Sequence, residues 1–335
     1  MIPSSRPPRP ALDPELEAAL VASGGLEIVS LTPERIAAER RTEGVDRPTL
    51  ASLQAIEGVD ADEATVPGPC GDVVVAVLRP SEPDPASGTA RPTTGLRPGV
   101  LHVHGGGMVL GTRFWDLDEP LTWVHDLGAV VVSPEYRRAP EHPYPAPVED
   151  CWAALAWTVD NAAELGVDPA RIVVAGVSAG GGIAAGLSLM ARDRGGPALA
   201  GTLLRCPMLD DRSITPSSAM LVGELVWDGV SNDTGWDALL GTDRGGEHVS
   251  PYASPARAQD LSALPPTYVD VGSADAFRDE DVDHALRLWR AGGDAELHVW
   301  PGAFHVFENI APDAALTLRA RQARARWLER VLTPR

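Results

Sequence analysis

The run Arg171-Ile172-Val173-Val174-Ala175 ends at Gly176-Val177-Ser178-Ala179-Gly180, and an Ala/Leu-rich stretch opening Gly181-Gly182-Ile183-Ala184-Ala185-Gly186-Leu187 follows at once. The first part reads as a buried parallel strand and the last as a helix, so the chain must pass from one to the other within a residue or two. Such a turn leaves no room for a Cβ two positions before and two after its centre, which is where glycines stand. It also strains the serine backbone and lifts the hydroxyl clear of the sheet, at the N-terminus of a helix whose dipole favours negative charge. G-x-S-x-G alone recurs by chance; the strand before it and the helix after it give it meaning. A competing expectation is a membrane span, since residues 172–190 carry no charged side chain and approach the necessary length. Five glycines fall inside that stretch, and its β-branched first third changes abruptly to a helical pattern. A strand and a helix buried in one core explain it better.

At 335 residues the chain can bury a large core, as one α/β domain with an appended piece or as two domains. Its 28 basic residues are all arginine and face 47 acidic ones, for a net charge of −19. That balance argues against nucleic acid or an anionic membrane surface as partner. The absence of lysine is expected from codon usage in a GC-rich genome, with adaptation to salt as the alternative source of the acidity. Cys70, Cys151 and Cys206 are widely spaced and odd in number, which gives neither a disulfide framework nor a zinc cluster. The opening Met1-Ile2-Pro3-Ser4-Ser5-Arg6-Pro7-Pro8 has no apolar run resembling a signal peptide. A soluble cytoplasmic protein with reduced thiols is the expectation.

Along the chain, residues 13–23 and 32–41 read as two short amphipathic helices, 72–78 as a strand, and the Pro/Ser/Thr/Gly-rich stretch 80–98 as a surface loop. A regular alternation follows. Strands are expected at 100–104, 129–133, 172–177, 201–205, 267–271 and 296–300, with helices at 117–127, 148–165, 179–192, 280–291 and 312–332. That rhythm predicts an α/β fold, a mostly parallel sheet with helices on both faces. Residues 207–263 interrupt it without a clear strand and include Trp227 and Trp236. The expected organisation is an N-terminal cap segment over 1–50, a first core part over 51–207, a cap insertion over 208–246 and a second core part over 247–335.

His104-Gly105-Gly106-Gly107 follows the strand residues Val100–Val103, and successive glycines let backbone N–H groups approach a ligand closely. His102 and His104 form H-x-H, but no further histidine or carboxylate cluster completes a metal site, and none is expected. A serine hydroxyl is a poor nucleophile until a histidine takes its proton and a carboxylate orients that histidine. Of eight histidines, His305 follows a strand and the turn Pro301-Gly302-Ala303-Phe304; His284 and His298 read as surface or packing residues. Asp275 ends the preceding strand, with Asp270 and Asp279 as rivals. Asp279, Glu280, Asp281 and Asp283 read more simply as a cluster complementing a helix dipole.

Taken in order, His104-Gly105-Gly106-Gly107, Tyr136-Arg137-Arg138-Ala139-Pro140-Glu141, Gly176 to Gly182, Tyr252-Ala253-Ser254-Pro255-Ala256, Leu264-Pro265-Pro266, Asp275 to Glu280 and Phe304-His305-Val306-Phe307 resemble the bacterial hormone-sensitive-lipase family of α/β hydrolases. The resemblance spans roughly 100–310. It implies carboxylic-ester hydrolysis of a small-molecule ester without a cofactor, a helical cap and frequently a homodimer. It assigns Ser178, Asp275 and His305 as a catalytic triad and Gly106, Gly107 and Ala179 as oxyanion donors. His104, Gly105, Gly176 and Gly180 support those motifs, and the Tyr136 segment is structural. Three positions depart from the family pattern. Val177 replaces the usual Asp or Thr, Met108 replaces an aromatic that would line the pocket, and Ala276-Phe277 replaces Pro-Leu. The expected function is a serine carboxylesterase for small, uncharged, short- to medium-chain acyl esters. An amide, lactone or carbamate hydrolase would use the same groups. A non-catalytic binding protein, the state of plant gibberellin receptors on this fold, is disfavoured because His305 is present.

Overall fold

The computed structural model describes residues 6–25, 28–42, 48–81 and 95–333. Eight strands, β1 (Val59–Gly68), β2 (Gly71–Pro80), β3 (Arg97–Val103), β4 (Val130–Pro134), β5 (Val167–Val177), β6 (Gly201–Arg205), β7 (Thr267–Gly272) and β8 (Ala295–Trp300), form one sheet in the order β1-β2-β4-β3-β5-β6-β7-β8. β1 and β2 pair antiparallel, as do β2 and β4; every other neighbouring pair is parallel. The central strands are buried along their whole length, as parallel strands covered on both faces must be. Alternate side chains serve opposite faces. Leu101, Val132 and Val174 pack with Leu155 and Leu187 on one side, whereas Val100, Val131 and Val173 pack with Trp123 and Trp327 on the other.

The helices that supply those partners are α4 (Asp118–Leu127), α5 (Ala146–Asp160), α7 (Ala179–Asp193) and α11 (Ala315–Leu332), while α9 (Arg278–Arg290) lies against β7 and β8. The remaining helices are α1 (Pro14–Ala22), α2 (Pro33–Thr42), α3 (Leu50–Gln54), α6 (Ala162–Leu165), α8 (Gly229–Leu240) and α10 (Phe307–Ile310). The expected architecture is therefore present, with local differences. β1 was not anticipated from the sequence: it is an edge strand whose Asp60, Asp62 and Glu63 face water, and only Val59, Ala61 and Val66 are buried. The helix expected at 148–165 is two helices. Asn161 turns its side chain back to the Trp157 carbonyl at 2.8 Å, and Gly166 closes α6 in the left-handed region at φ +68°. Most of the loop expected at 80–98 lies outside the described residues.

The segment before β1 and the insertion after β6 meet each other. Ile28 N–H donates to the Gly223 carbonyl at 3.1 Å, Leu31 N–H to Ser231 Oγ at 2.9 Å and Thr234 Oγ1 to the Leu31 carbonyl at 2.8 Å. Leu16 and Leu20 of α1 pack with Met220, Leu221, Leu225, Phe304 and Phe307. Among the described residues no helix is long and apolar enough to cross a membrane; the uncharged stretch 172–190 is the end of β5 and most of α7.

Candidate active site

β5 leads directly into α7 through Ser178, which sits at φ +56°, a region that L-residues adopt only under constraint. The constraint is packing. A Cβ on Gly176 would run into the Gly180 carbonyl, and one on Gly180 into the Val103 carbonyl of β3. Ser178 N–H donates to the Arg205 carbonyl at 2.9 Å, and the Ser178 carbonyl accepts from Gly182 at 3.0 Å and Met208 at 2.9 Å. The backbone is thus held on both sides while the hydroxyl points out of the sheet.

His305 Nε2 lies 2.9 Å from Ser178 Oγ, and His305 Nδ1 lies 2.9 Å from Asp275 Oδ2. The carboxylate opposite Nδ1 places the ring proton there and leaves Nε2 as acceptor for the serine hydroxyl. Asp275 is fully buried, and its other oxygen accepts the Phe277 N–H at 3.0 Å. Phe277, one of the departures from the family pattern, meets the His305 ring edge-on at 5.1 Å. The rival carboxylates are engaged elsewhere. Asp270 accepts from Trp300 Nε1 at 3.0 Å and Arg324 Nη1 at 2.5 Å, and Asp279 accepts from Ser217 N–H at 2.8 Å.

The loop after β3 runs beside this array. Gly105 N–H donates to Asp116 Oδ2 at 3.0 Å, and the Gly106 carbonyl accepts from Val109 at 3.1 Å and Leu110 at 2.8 Å. Among the described residues, the N–H groups of Gly106, Gly107 and Ala179 have no acceptor. His104 is buried and stacked on Tyr136 at 4.2 Å, with Nδ1 2.8 Å from the Gly105 carbonyl. Burial lowers its pKa to about 4, and does the same for His102, so both rings are neutral framework. The described residues that could gather on a metal ion are Cys206, Asp275 and His305. Burial, and after it the nearby Asp275, push the Cys206 thiol well up, and the Asp275 and His305 atoms already satisfy each other.

Ser178 and His305 open into a cavity of about 640 Å³, walled by Ile28, Leu31, Val226 and Trp227 among others. Trp227 lies against Gly107, where a Cβ would collide with its ring, and its ring centre is 6.5 Å from that of His305. Met108, expected to line the pocket, instead turns into the core beside Gly182; Trp227, from the insertion, supplies an aromatic wall. Val177 packs with Cys206 and Val271. Asp116 also lines the cavity and was not singled out by sequence reasoning.

His298 stacks on Trp300 at 5.0 Å and contacts Glu296 at 2.9 Å. His284 is buried in α9 with Nδ1 unpartnered, and burial lowers its pKa to about 4. In the unfolded chain it takes a proton near the ordinary value of about 6.5. Unfolding therefore takes up a proton between those values, and this residue's contribution to stability falls as pH drops through that window. Glu280 and Asp281, whose carboxyls burial pushes up, act in the opposite direction. Comparison with a variant isolates the histidine: His284→Leu is expected to lose less melting temperature than the parent between pH 6.5 and 4.5. Parallel melting curves would contradict this.

Residues 100–309 match the family model described as an alpha/beta hydrolase fold. Esterase LipI of Mycobacterium tuberculosis is 35% identical over 305 residues, covering 87% of this chain and 86% of that protein. Carboxylesterase NlhH of the same species is 40% identical over 218 residues, 64% of this chain and 67% of that one. Among solved structures, a bacterial heroin esterase superposes with a TM-score of 0.83 at 36% identity over 97% of this chain and 99% of that chain. Esterase LipW from Mycobacterium marinum gives 0.84 at 34% identity over 98% and 99%. With this sheet order and a serine at the strand-to-helix turn, the chain belongs to the α/β-hydrolase family.

Proposed function

We propose that this chain is a serine carboxylesterase, with Ser178 as nucleophile, His305 as general base and acid, and Asp275 as the group that orients the imidazole. The carboxylic-ester hydrolase class follows the family and the esterases among its relatives. The observation that supports the assignment of residues is the continuous pair of 2.9 Å contacts from Ser178 through His305 to Asp275 at the floor of the cavity. Ser178 Oγ attacks the ester carbonyl while His305 Nε2 takes its proton. The developing oxyanion faces the unoccupied N–H groups of Gly106, Gly107 and Ala179, each worth about 10²–10³ in rate at comparable sites. Collapse expels the alcohol, which receives the proton from His305, and water then repeats the cycle on the acyl-enzyme. The apolar wall and about 640 Å³ of space favour small, uncharged esters of short to medium acyl length.

A panel of p-nitrophenyl esters of rising acyl length, with an anilide control, tests both reaction and substrate class. Short- to medium-chain esters are expected to turn over fastest. Faster turnover of the anilide would move the reading to an amidase.

Residues 1–50 and 208–246 act together as the cap over this site; the contacts of Leu31 with Ser231 and Thr234 and the position of Trp227 support the reading. Removing residues 1–40 takes away Ile28 and Leu31 from the cavity wall and uncovers Met220, Leu221 and Phe304. The truncated protein is expected to show a raised KM and lower solubility with its sheet intact. Unchanged kcat, KM and solubility would remove the cap assignment. The family resemblance also implies a homodimer, for which light scattering should report the mass of two chains rather than one.

A further inference from the structure

Asp116 binds three segments that carry the proposed chemistry, through its two carboxylate oxygens. Oδ2 accepts the Gly105 N–H at 3.0 Å. Oδ1 accepts from Asn309 Nδ2 at 3.2 Å, on the short helix four residues beyond His305. The same oxygen is 3.9 Å from Arg205 Nη2, and it is the Arg205 carbonyl that holds the Ser178 N–H. Arg205 Nη2 in turn donates to Asn309 Oδ1 at 3.3 Å, and its Nη1 lies 3.5 Å from Glu119. Asp116 sits at φ +58° and its side chain is 8% exposed, so its position is set by these partners rather than by solvent.

A peptide plane is rigid, so fixing the Gly105 N–H at one end and the Gly106 carbonyl at the other leaves the intervening units little freedom to rotate. Gly105 and Gly106 have no side chains to provide that restraint themselves. An anion beside a developing oxyanion would oppose catalysis, and Arg205 sits where it offsets that charge. We propose that Asp116 is a positioning residue for the oxyanion loop: it aims the Gly106 and Gly107 amides by holding Gly105 N–H, and it ties that loop to the serine turn through Arg205 and to the histidine loop through Asn309. Burial pushes the Asp116 carboxyl up, but Arg205 and the Gly105 N–H outweigh it and keep the group ionised.

This inference rests on the serine-esterase reading, and the test separates the two. Asp116→Ala is expected to lower kcat on p-nitrophenyl acetate about 10- to 100-fold, a fraction of the effect of deleting a donor outright, with KM within about twofold. Affinity for phenylboronic acid, whose tetrahedral adduct on a serine occupies the oxyanion site, falls by the same factor. Asp116→Asn retains an acceptor for Gly105 and restores most of both. Asn309→Ala, which removes one restraint but leaves the Gly105 bond, gives a smaller loss in the same direction and carries the test if Asp116→Ala does not melt cooperatively. A kcat and boronate affinity within twofold of the parent in the folded variants would overturn the proposal, as would equal losses in Asp116→Ala and Asp116→Asn with KM raised. Ser178→Ala is measured alongside: retained turnover there sinks the serine reading itself, whereas an inactive Ser178→Ala beside an unimpaired Asp116→Ala removes only the role of Asp116.

Discussion

Ser178→Ala is expected to lower kcat on any ester substrate by about 10⁴-fold or more, the scale on which members of such triads fail elsewhere. The reasoning is local. The alanine keeps the Cβ and leaves the Arg205 and Met208 contacts of this residue untouched, because both are made by its backbone. Only Oγ goes, and with it the partner of His305 Nε2 at 2.9 Å. Fold and melting temperature should stay close to those of the parent, and labelling by a fluorophosphonate probe should vanish. His305→Ala is expected to cost a comparable factor, and the double variant little more than either single one, since a nucleophile without its base is as inert as a base without its nucleophile. Retention of most activity in Ser178→Ala would remove the nucleophile assignment.

The same packing explains why so much of this site could be read in the sequence. Gly176 and Gly180 are demanded by carbonyl oxygens that approach them too closely for any Cβ, so geometry was already written into residue type around Ser178. The parallel strands β3 to β7 were legible from the short aliphatic stretches at their centres, which burial on both faces requires, as in Val130-Val131-Val132 of β4 and Ile172-Val173-Val174 of β5. Where one face is wet the signal weakens: β1 spells Val-Asp-Ala-Asp-Glu and has the composition of a loop. Asp116 was invisible for another reason. In Phe114-Trp115-Asp116-Leu117-Asp118-Glu119 spacing does not distinguish an acid that accepts the Gly105 N–H from two neighbours that do not. Chain order and the family resemblance favour Asp275 over Asp270 and Asp279. Asp270 lies on β7, Asp275 just after it and Asp279 in the first turn of α9, and each has different partners. Trp227 lies some fifty residues beyond the serine turn, and its place against Gly107 depends on how the insertion folds back.

Arg324 should dominate stability as Ser178 should dominate turnover. It lies in the apolar stripe of α11, between Ala320 and the pair Trp327 and Leu328, and none of its surface is exposed. Its Nε donates to Glu119 Oε1 at 2.7 Å and its Nη1 to Asp270 Oδ2 at 2.5 Å, while Nη2 makes ionic contact with Glu308 Oε1 at 3.0 Å. One guanidinium therefore joins α4, β7 and α10 through three buried carboxylates. Replacing the whole cluster with apolar groups could be neutral, but removing this cation alone leaves Asp270 without its ion-pair partner, and Glu119 and Glu308 with Arg205 as their remaining cation, at a cost of about 3–5 kcal/mol. Arg324→Met, which fills similar volume without charge, is accordingly expected to lower the melting temperature by about 10 °C at neutral pH. The sign of the pH dependence follows from the same charges. Burial already pushes the Asp270 carboxyl up against the pull of Arg324, and Arg324 is one of the two cations that hold the Glu308 carboxyl down. Without it both folded pKa values rise, so the folded variant binds protons more readily than the folded parent as pH falls. The deficit relative to the parent should therefore narrow between about pH 7 and pH 5, as protonation removes the uncompensated charge. Thermal melts of parent and variant at both pH values test this directly. A melting temperature within about 2 °C of the parent at neutral pH, or a deficit that widens on acidification, would show that the cluster does not depend on Arg324 for its charge balance.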